Sequence, residues 1–131
     1  MELKLRNAGV NDAAFLAWLI LTAGRAHVKR GIWEVVLNQP RDECLRFLEL
    51  LTITNTPHLF HHSCYLIAEA EAGPVSGLGG YDADTLGYPR LLESLPEVYE
   101  KHGFRLIDEW PDPYFEKEIG SPGMARLICD L

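Results

Sequence analysis

One stretch, SCYLIAEAEAGPVSGLGGYD (Ser63 to Asp82), limits the possible fold more than any other. Tyr65 to Glu69 is apolar and rich in β-formers, EAGP supplies a turn, and Val75 to Tyr81 runs back. Two such runs on either side of a short turn read as a pair of antiparallel strands. The return strand carries Gly77, Gly79 and Gly80. Glycine is costly inside a strand, so these positions predict a bulge or the close approach of another backbone or a ligand.

The flanking segments supply the other elements. ELKLRNA sets Leu3 and Leu5 between charged neighbours, which predicts a short strand with one face buried. GVNDAAFLAWLILTAGR predicts a helix capped by Asn11 or Asp12 and ended by Gly24. Phe15, Leu16, Leu19 and Ile20 fall at helical spacing and face inward, with Trp18 near that face. GIWEVVLNQP fits either a short helix or an extended piece, stopped at Pro40. RDECLRFLELLTIT predicts a second helix, capped at Asp42, that buries Cys44, Leu45, Leu48 and either Leu51 or Phe47. NTPHLFHH reads as a surface loop.

Further on, DTLGYPRLLESLPEVYEKHG is helical in pieces. Pro89 suits a helix start, Pro96 either starts another helix or bends a single one, and Gly103 suits a C-terminal cap. FRLIDEWPD predicts a strand burying Phe104, Leu106 and Ile107. PYFEKEIGSPG reads as a loop with a turn of helix, and MARLICDL as a last strand paired antiparallel with FRLIDEWPD. The expected class is α/β in the broad sense (α+β). It has a mixed, mostly antiparallel sheet with helices on its faces, in one domain over 1–131.

Length supports that reading. A chain of 131 residues is one domain by default and can bury roughly two-thirds of its unfolded surface. The net charge of −7 argues against nucleic acid or an anionic membrane as partner, because both need a concentrated basic surface. The one basic cluster, RAHVKR (Arg25 to Arg30), fits a solvated helix end. No stretch reaches the ~18 apolar residues of a membrane span, and the N-terminus lacks a signal peptide's apolar core. Cys44, Cys64 and Cys129 are far apart, each in an apolar stretch and without CxxC spacing. They read as free, reduced, buried thiols, which fits a soluble protein of the cytoplasm.

The order strand, helix, helix, hairpin, helix, strand, strand now carries a resemblance. LRNAGVNDAAFLAWLI followed by CYLIAEAEAGPVSGLGGY resembles the opening of a Gcn5-related N-acetyltransferase. VYEKHGFRLIDEWPDPYFEKEIGSPGMARLICDL resembles the end of that family, where a helix closes on a tyrosine and a Gly-Phe pair opens a strand. YEKHGF is its most specific part. The resemblance implies an acyl-CoA N-acyltransferase fold that is incomplete. The family's Arg/Gln-x-x-Gly-x-Gly/Ala run, whose backbone N–H groups hold the pyrophosphate of acetyl-CoA at a helix N-terminus, is absent, and so is the next strand. Leu92 and Leu95 stand where the family has an Asn-x-x-Ala. The join falls in or near RLLESLPEVY.

The family's activity is acetyl transfer from acetyl-CoA to an amine of a small molecule or a protein. The missing loop predicts weak or no binding of acetyl-CoA, and no residue is assigned to that cofactor. The alternative is a non-catalytic module of the same fold. By resemblance, Tyr99 is the general acid that protonates the departing thiolate, a task suited to a phenol protonated at neutral pH. Glu69, with Glu71 nearby, supplies the carboxylate that takes the amine's proton. Trp33 and Tyr81 line the acceptor pocket. The structural alternatives are a tyrosine packed at a helix end, a solvated strand face, a core tryptophan and a strand-end aromatic. His58, His61 and His62 lie close in HLFHH, but Pro57 and the loop give them no regular metal spacing, so no metal is expected. Loss of the central strands leaves the third strand with an open edge. Either the last hairpin docks there or a second copy covers it, which predicts a homodimer.

Overall fold

The computed structural model describes residues 2–111, 113, 114, 117 and 123–129, with side chains 106–110 and 123–129 outside that description. Besides 3-10 turns at Val10–Asp12 and His62–Cys64, ten strands and α-helices follow in order among the described residues. They are β1 (Lys4–Asn7), α1 (Ala13–Arg25), α2 (Ile32–Leu37), α3 (Arg41–Thr52), β2 (Tyr65–Ala70), β3 (Gly73–Gly79), α4 (Ala83–Leu86), α5 (Tyr88–Lys101), β4 (Phe104–Pro111) and β5 (Gly123–Cys129). β1, β2 and β3 form one antiparallel sheet in that order, and β4 with β5 forms a second antiparallel pair. The final hairpin is thus a separate sheet, and the edge of β3 has no strand beside it among the described residues.

Side-chain parity in the three-stranded sheet decides which face is covered. Tyr65 and Ile67 are buried on one face, opposite Gly79 and Gly77. Leu19 of α1 lies against Gly77, so α1 covers this face. The other face carries Leu5, Leu66 and Leu78. Leu5 is 77% exposed and Leu78 71%. The expectation that β1 buries Leu3 and Leu5 is therefore corrected. Alternation put them on one face, but no helix of the described residues covers it.

The core lies between α1, α3, α5 and the inner sheet face. α1 contributes Leu16, Ala17, Ile20 and Leu21, one stripe at helical spacing. Phe15 and Leu19 pack at its border, while Trp18 is exposed. α3 buries Cys44, Phe47, Leu48, Leu51 and Thr52. α5 buries Leu91, Ser94 and Val98. It is a single helix that contains Pro96, with Pro89 in its first turn. Gly103 follows it at φ 97°, the left-handed conformation expected of a terminating glycine.

Several helix ends differ from the sequence reading for local reasons. Asp12 stands at the start of α1 but does not cap it. Its carboxylate turns back to accept from Arg6 Nη1 and Nη2 at 2.8 and 2.9 Å and from the Gly9 N–H at 2.8 Å. Gly24 does not end α1, which runs on to Arg25. A β-carbon at Gly24 would lie 3.0 Å from Trp33 Cδ1, so this glycine makes room for α2 instead. Arg25 pairs with the buried Glu34, tying the end of α1 to α2. α3 starts after Pro40 rather than Asp42, and Asp42 and Glu43 sit in its first turn, where negative charge suits the helix dipole. α2 resolves the ambiguity of GIWEVVLNQP as a short helix.

No helix among the described residues is long and apolar enough to cross a membrane. Cys44 is buried, Cys64 half-buried, and both are free thiols raised by burial above the usual range. The readings of Leu106, Ile107 and the side chain of Cys129 lie outside the described residues, as do most of those for 112–122.

Candidate functional site

Two cavities adjoin the short helix α2, and Val36 borders both. The larger holds about 630 Å³. Its walls include Leu19 and Ile20 of α1, Trp33 of α2, Phe60, Tyr65 and Leu91. Trp33 meets Phe60 edge-on at 5.1 Å. Gly77 and Gly79 line it from β3. A β-carbon would fall 2.7 Å from Leu19 Cδ2 at Gly77 and 2.7 Å from Tyr65 Cε1 at Gly79. Gly77 and Gly79 therefore answer to the close approach of side chains, whereas nothing lies within 4 Å of a β-carbon at Gly80. The irregularity in the β2–β3 pairing lies elsewhere, at Ala68/Glu69. Burial pushes the Tyr65 phenol up to about 12. The lining is almost wholly apolar and suits a hydrocarbon group.

The smaller cavity, about 240 Å³, lies where α2, α3, the end of α5 and the start of β4 meet. Tyr99 borders it, with its ring 5.2 Å from Phe47 and 5.3 Å from Phe104. Burial raises the Tyr99 phenol, so it holds its proton more firmly than an exposed tyrosine. The hydroxyl has no hydrogen-bond partner among the described residues. Glu43 and His102 border the same cavity, with Glu43 Oε2 3.3 Å from His102 Nε2.

The four sequence candidates do not converge on one point. Tyr99 borders the small cavity and Trp33 the large one. Tyr81 is exposed just beyond β3 and borders neither. Glu69 lies on β2 and accepts from Arg6 Nε and Nη2, each at 3.0 Å. The hydrogen bond from Arg6 holds the Glu69 carboxyl below its usual range, and the same arginine lowers Asp12. One guanidinium thus joins β1, the turn before α1, and β2. A carboxylate held this way is a weaker base than a free one.

The HLFHH loop is corrected from surface to interior. His58 is 0% exposed and His61 7%. His58 Nε2 lies 2.9 Å from the Leu51 carbonyl, and its Nδ1 accepts from the Phe60 N–H at 3.1 Å. His61 Nε2 lies 3.1 Å from the Thr54 carbonyl, and its Nδ1 accepts from the Ser63 N–H at 3.3 Å. Each ring therefore donates through Nε2 and accepts through Nδ1, which fixes the neutral tautomer. These rings fasten the loop to the end of α3. Cys64 donates to the His58 carbonyl and forms no pair with a histidine ring.

Sequence reasoning missed Phe47 as a ring partner of Tyr99, and Glu43 and His102 as residues that border the same cavity. His102 is adjacent in YEKHGF, but Glu43 is far away in the chain, and no spacing pattern joins them.

No protein-family model matches the sequence, and no curated protein matches it either. Among solved structures, the chain is similar to a crystal structure of an acetyltransferase, with a TM-score of 0.62 and 20% identity. The match covers 84% of this chain and 57% of that one. At this identity the likeness establishes the fold, which is acetyltransferase-like. The chain spans little more than half the length of that structure.

Proposed function

We propose that the chain is an internally shortened domain of the Gcn5-related N-acetyltransferase type, whose reaction is acetyl transfer from acetyl-CoA to an amine. The observation that carries this is the placement of Tyr99. In an acetyltransferase-like fold, the tyrosine of YEKHGF borders a cavity with its phenol kept protonated by burial. In this reading the amine nitrogen attacks the thioester carbon, backbone N–H groups stabilise the oxyanion, and the intermediate expels the thiolate. Tyr99 gives that sulfur its proton. Glu69 is the carboxylate expected to take the amine's proton, directly or through water; it borders neither cavity and must first loosen from Arg6. Trp33 would wall the apolar part of the acceptor site, and Tyr81 would meet whatever extends beyond β3. No residue of the chain is assigned to the pyrophosphate, and acetyl-CoA is expected to bind weakly.

Calorimetric titration with acetyl-CoA tests the cofactor claim. A dissociation constant in the micromolar range would overturn the missing loop. A thiol-release assay with acetyl-CoA and a panel of primary amines tests the reaction. Release that survives unchanged in Tyr99→Phe removes Tyr99 as the acid.

A second reading concerns a partner. The open edge of β3 and the exposed face carrying Leu5, Leu66 and Leu78 support a homodimer. The free cysteines support a reducing, cytoplasmic location.

A further inference from the structure

The glycines of β3 serve no step of the proposed reaction, yet they stand on the free side of their strand. The hydrogen-bond ladder fixes which way each backbone group points. The Tyr65 carbonyl accepts from the Ala8 N–H, on the β1 side, and the Cys64 carbonyl accepts from the Gly80 N–H, on the β3 side, at 3.0 and 2.9 Å. Backbone groups along an antiparallel strand alternate sides residue by residue. Tyr65 stands opposite Gly79, Leu66 opposite Leu78 and Ile67 opposite Gly77. Leu78 and Gly80 therefore turn their N–H and C=O groups toward β2, while Gly77 and Gly79 turn theirs toward the open edge. No strand lies beside that edge among the described residues.

The edge itself selects its occupant. β3 is uncharged from Gly73 to Gly79, whereas edges that avoid pairing commonly carry charge. A strongly charged partner finds no counter-charge on this strand, and a second copy of it meets no repulsion there. Leu19 and the Tyr65 ring already fill the side-chain positions of Gly77 and Gly79. The glycines add nothing that would hold a second backbone away, and strand glycines often mark such an approach. Between them Leu78 points to the opposite sheet face, where it is 71% exposed. We infer that β3 pairs antiparallel with β3 of a second copy, about a twofold axis at Leu78. Gly77 of each copy then faces Gly79 of the other, and each such pair exchanges both N–H···O bonds. Leu78 meets its own equivalent in a non-hydrogen-bonded pair, with Cα atoms about 4.5 Å apart, so two exposed leucines cover each other. The two three-stranded sheets become one continuous sheet. The inference rests on the homodimer reading and names its contact and register.

The test uses the full-length protein. Light scattering at high concentration should show a dimer. On mild oxidation Leu78→Cys should cross-link to its own copy, because Cα atoms about 4.5 Å apart lie within disulfide range. Ser76 faces Gly80 of the copy in this register, so Ser76→Cys should cross-link no faster than the parent, whose native cysteines set the background. Leu78→Cys should exceed both by about ten-fold or more in initial rate. Ser76 and Leu78 are exposed, so both variants should fold. Hydrogen exchange of the unmodified protein reads the same contact without a substitution. The Gly77 and Gly79 amides should slow by about ten-fold or more between dilute and concentrated solution, while those of Leu78 and Gly80, bonded to β2, should stay unchanged. A parent that remains monomeric removes the homodimer and this pairing with it. A dimer in which Leu78→Cys cross-links no faster than Ser76→Cys, or in which the Gly77 and Gly79 amides exchange as fast as in dilute solution, overturns the pairing and leaves the homodimer standing.

Discussion

Tyr65 and Gly79 face each other across β2 and β3, and the tyrosine ring occupies the space that a β-carbon on Gly79 would need. Gly79→Ala would place that carbon 2.7 Å from Cε1 of a ring that is itself buried. The substitution should cost about 1–3 kcal/mol, the usual range for overpacking. Gly80→Ala is the matched control, since nothing lies within 4 Å of its β-carbon position. It should stay within about 0.5 kcal/mol of the parent. Urea denaturation of both variants checks the pair, and equal losses would contradict the close-approach account.

Tyr99→Phe should separate chemistry from folding. The hydroxyl has no hydrogen-bond partner among the described residues, while the ring packs on Phe47 and Phe104. Stability should therefore change by less than about 1 kcal/mol. Thiol release from acetyl-CoA should fall by about ten-fold or more, because general acid catalysis contributes on the order of 10²–10⁴. A large drop in melting temperature would show instead that the phenol is structural.

Acid should weaken the fold over a defined window. Burial pushes His58 down to about 4 and also lowers His61, to which neighbouring His62 adds. An unfolded histidine titrates near 6.5, so between the two values the unfolded chain binds a proton that the folded chain refuses. Stability therefore rises with pH in that interval. The histidine contribution is complete above about 6.5 and is lost as pH falls toward 4, by roughly 3 kcal/mol for His58. Below that window the depressed carboxyls of Asp12 and Glu97 continue the decline. Urea midpoints from pH 8 to 4 measure it, and a flat profile would contradict neutral, buried rings.

Leu78→Lys tests the partner surface. Leu78 is exposed on β3, on a sheet face that no helix of the described residues covers and in a strand whose outer edge has no strand beside it among the described residues. If a second copy covers that region, light scattering should show the parent as a dimer and the variant as a monomer. The monomer's own stability should change by no more than about 0.5 kcal/mol, as for other exposed substitutions. A parent that stays monomeric at high concentration removes the homodimer.

Local signals carried most of the elements. The β2–β3 hairpin, the buried stripes of α1 and α3, the terminating Gly103 and the antiparallel final pair were legible, because each depends on neighbours a few residues apart. Failures came where a distant partner decides. Asp12 looks like a cap in sequence, yet a bidentate arginine offers it more than one backbone N–H does. Gly24 looks like a stop, yet it serves Trp33. Leu5 alternates as a buried residue should, but alternation cannot say whether a helix covers that face. Among the candidate residues, Tyr99 was legible through YEKHGF. Its cavity was not, since Phe47 and Glu43 come from α3.

The network around Arg6 also bears on the order of assembly. His58 and His61 close their hydrogen bonds to carbonyls seven residues earlier, and β2 meets β3 across a turn. Arg6 and Glu69 are 63 residues apart. Longer loops cost more entropy to close, and non-local contacts form late. β1 is therefore expected to dock on β2 after the β2–β3 hairpin has formed. Its amides, in pulse-labelled hydrogen exchange, should gain protection after those of the hairpin that receives it.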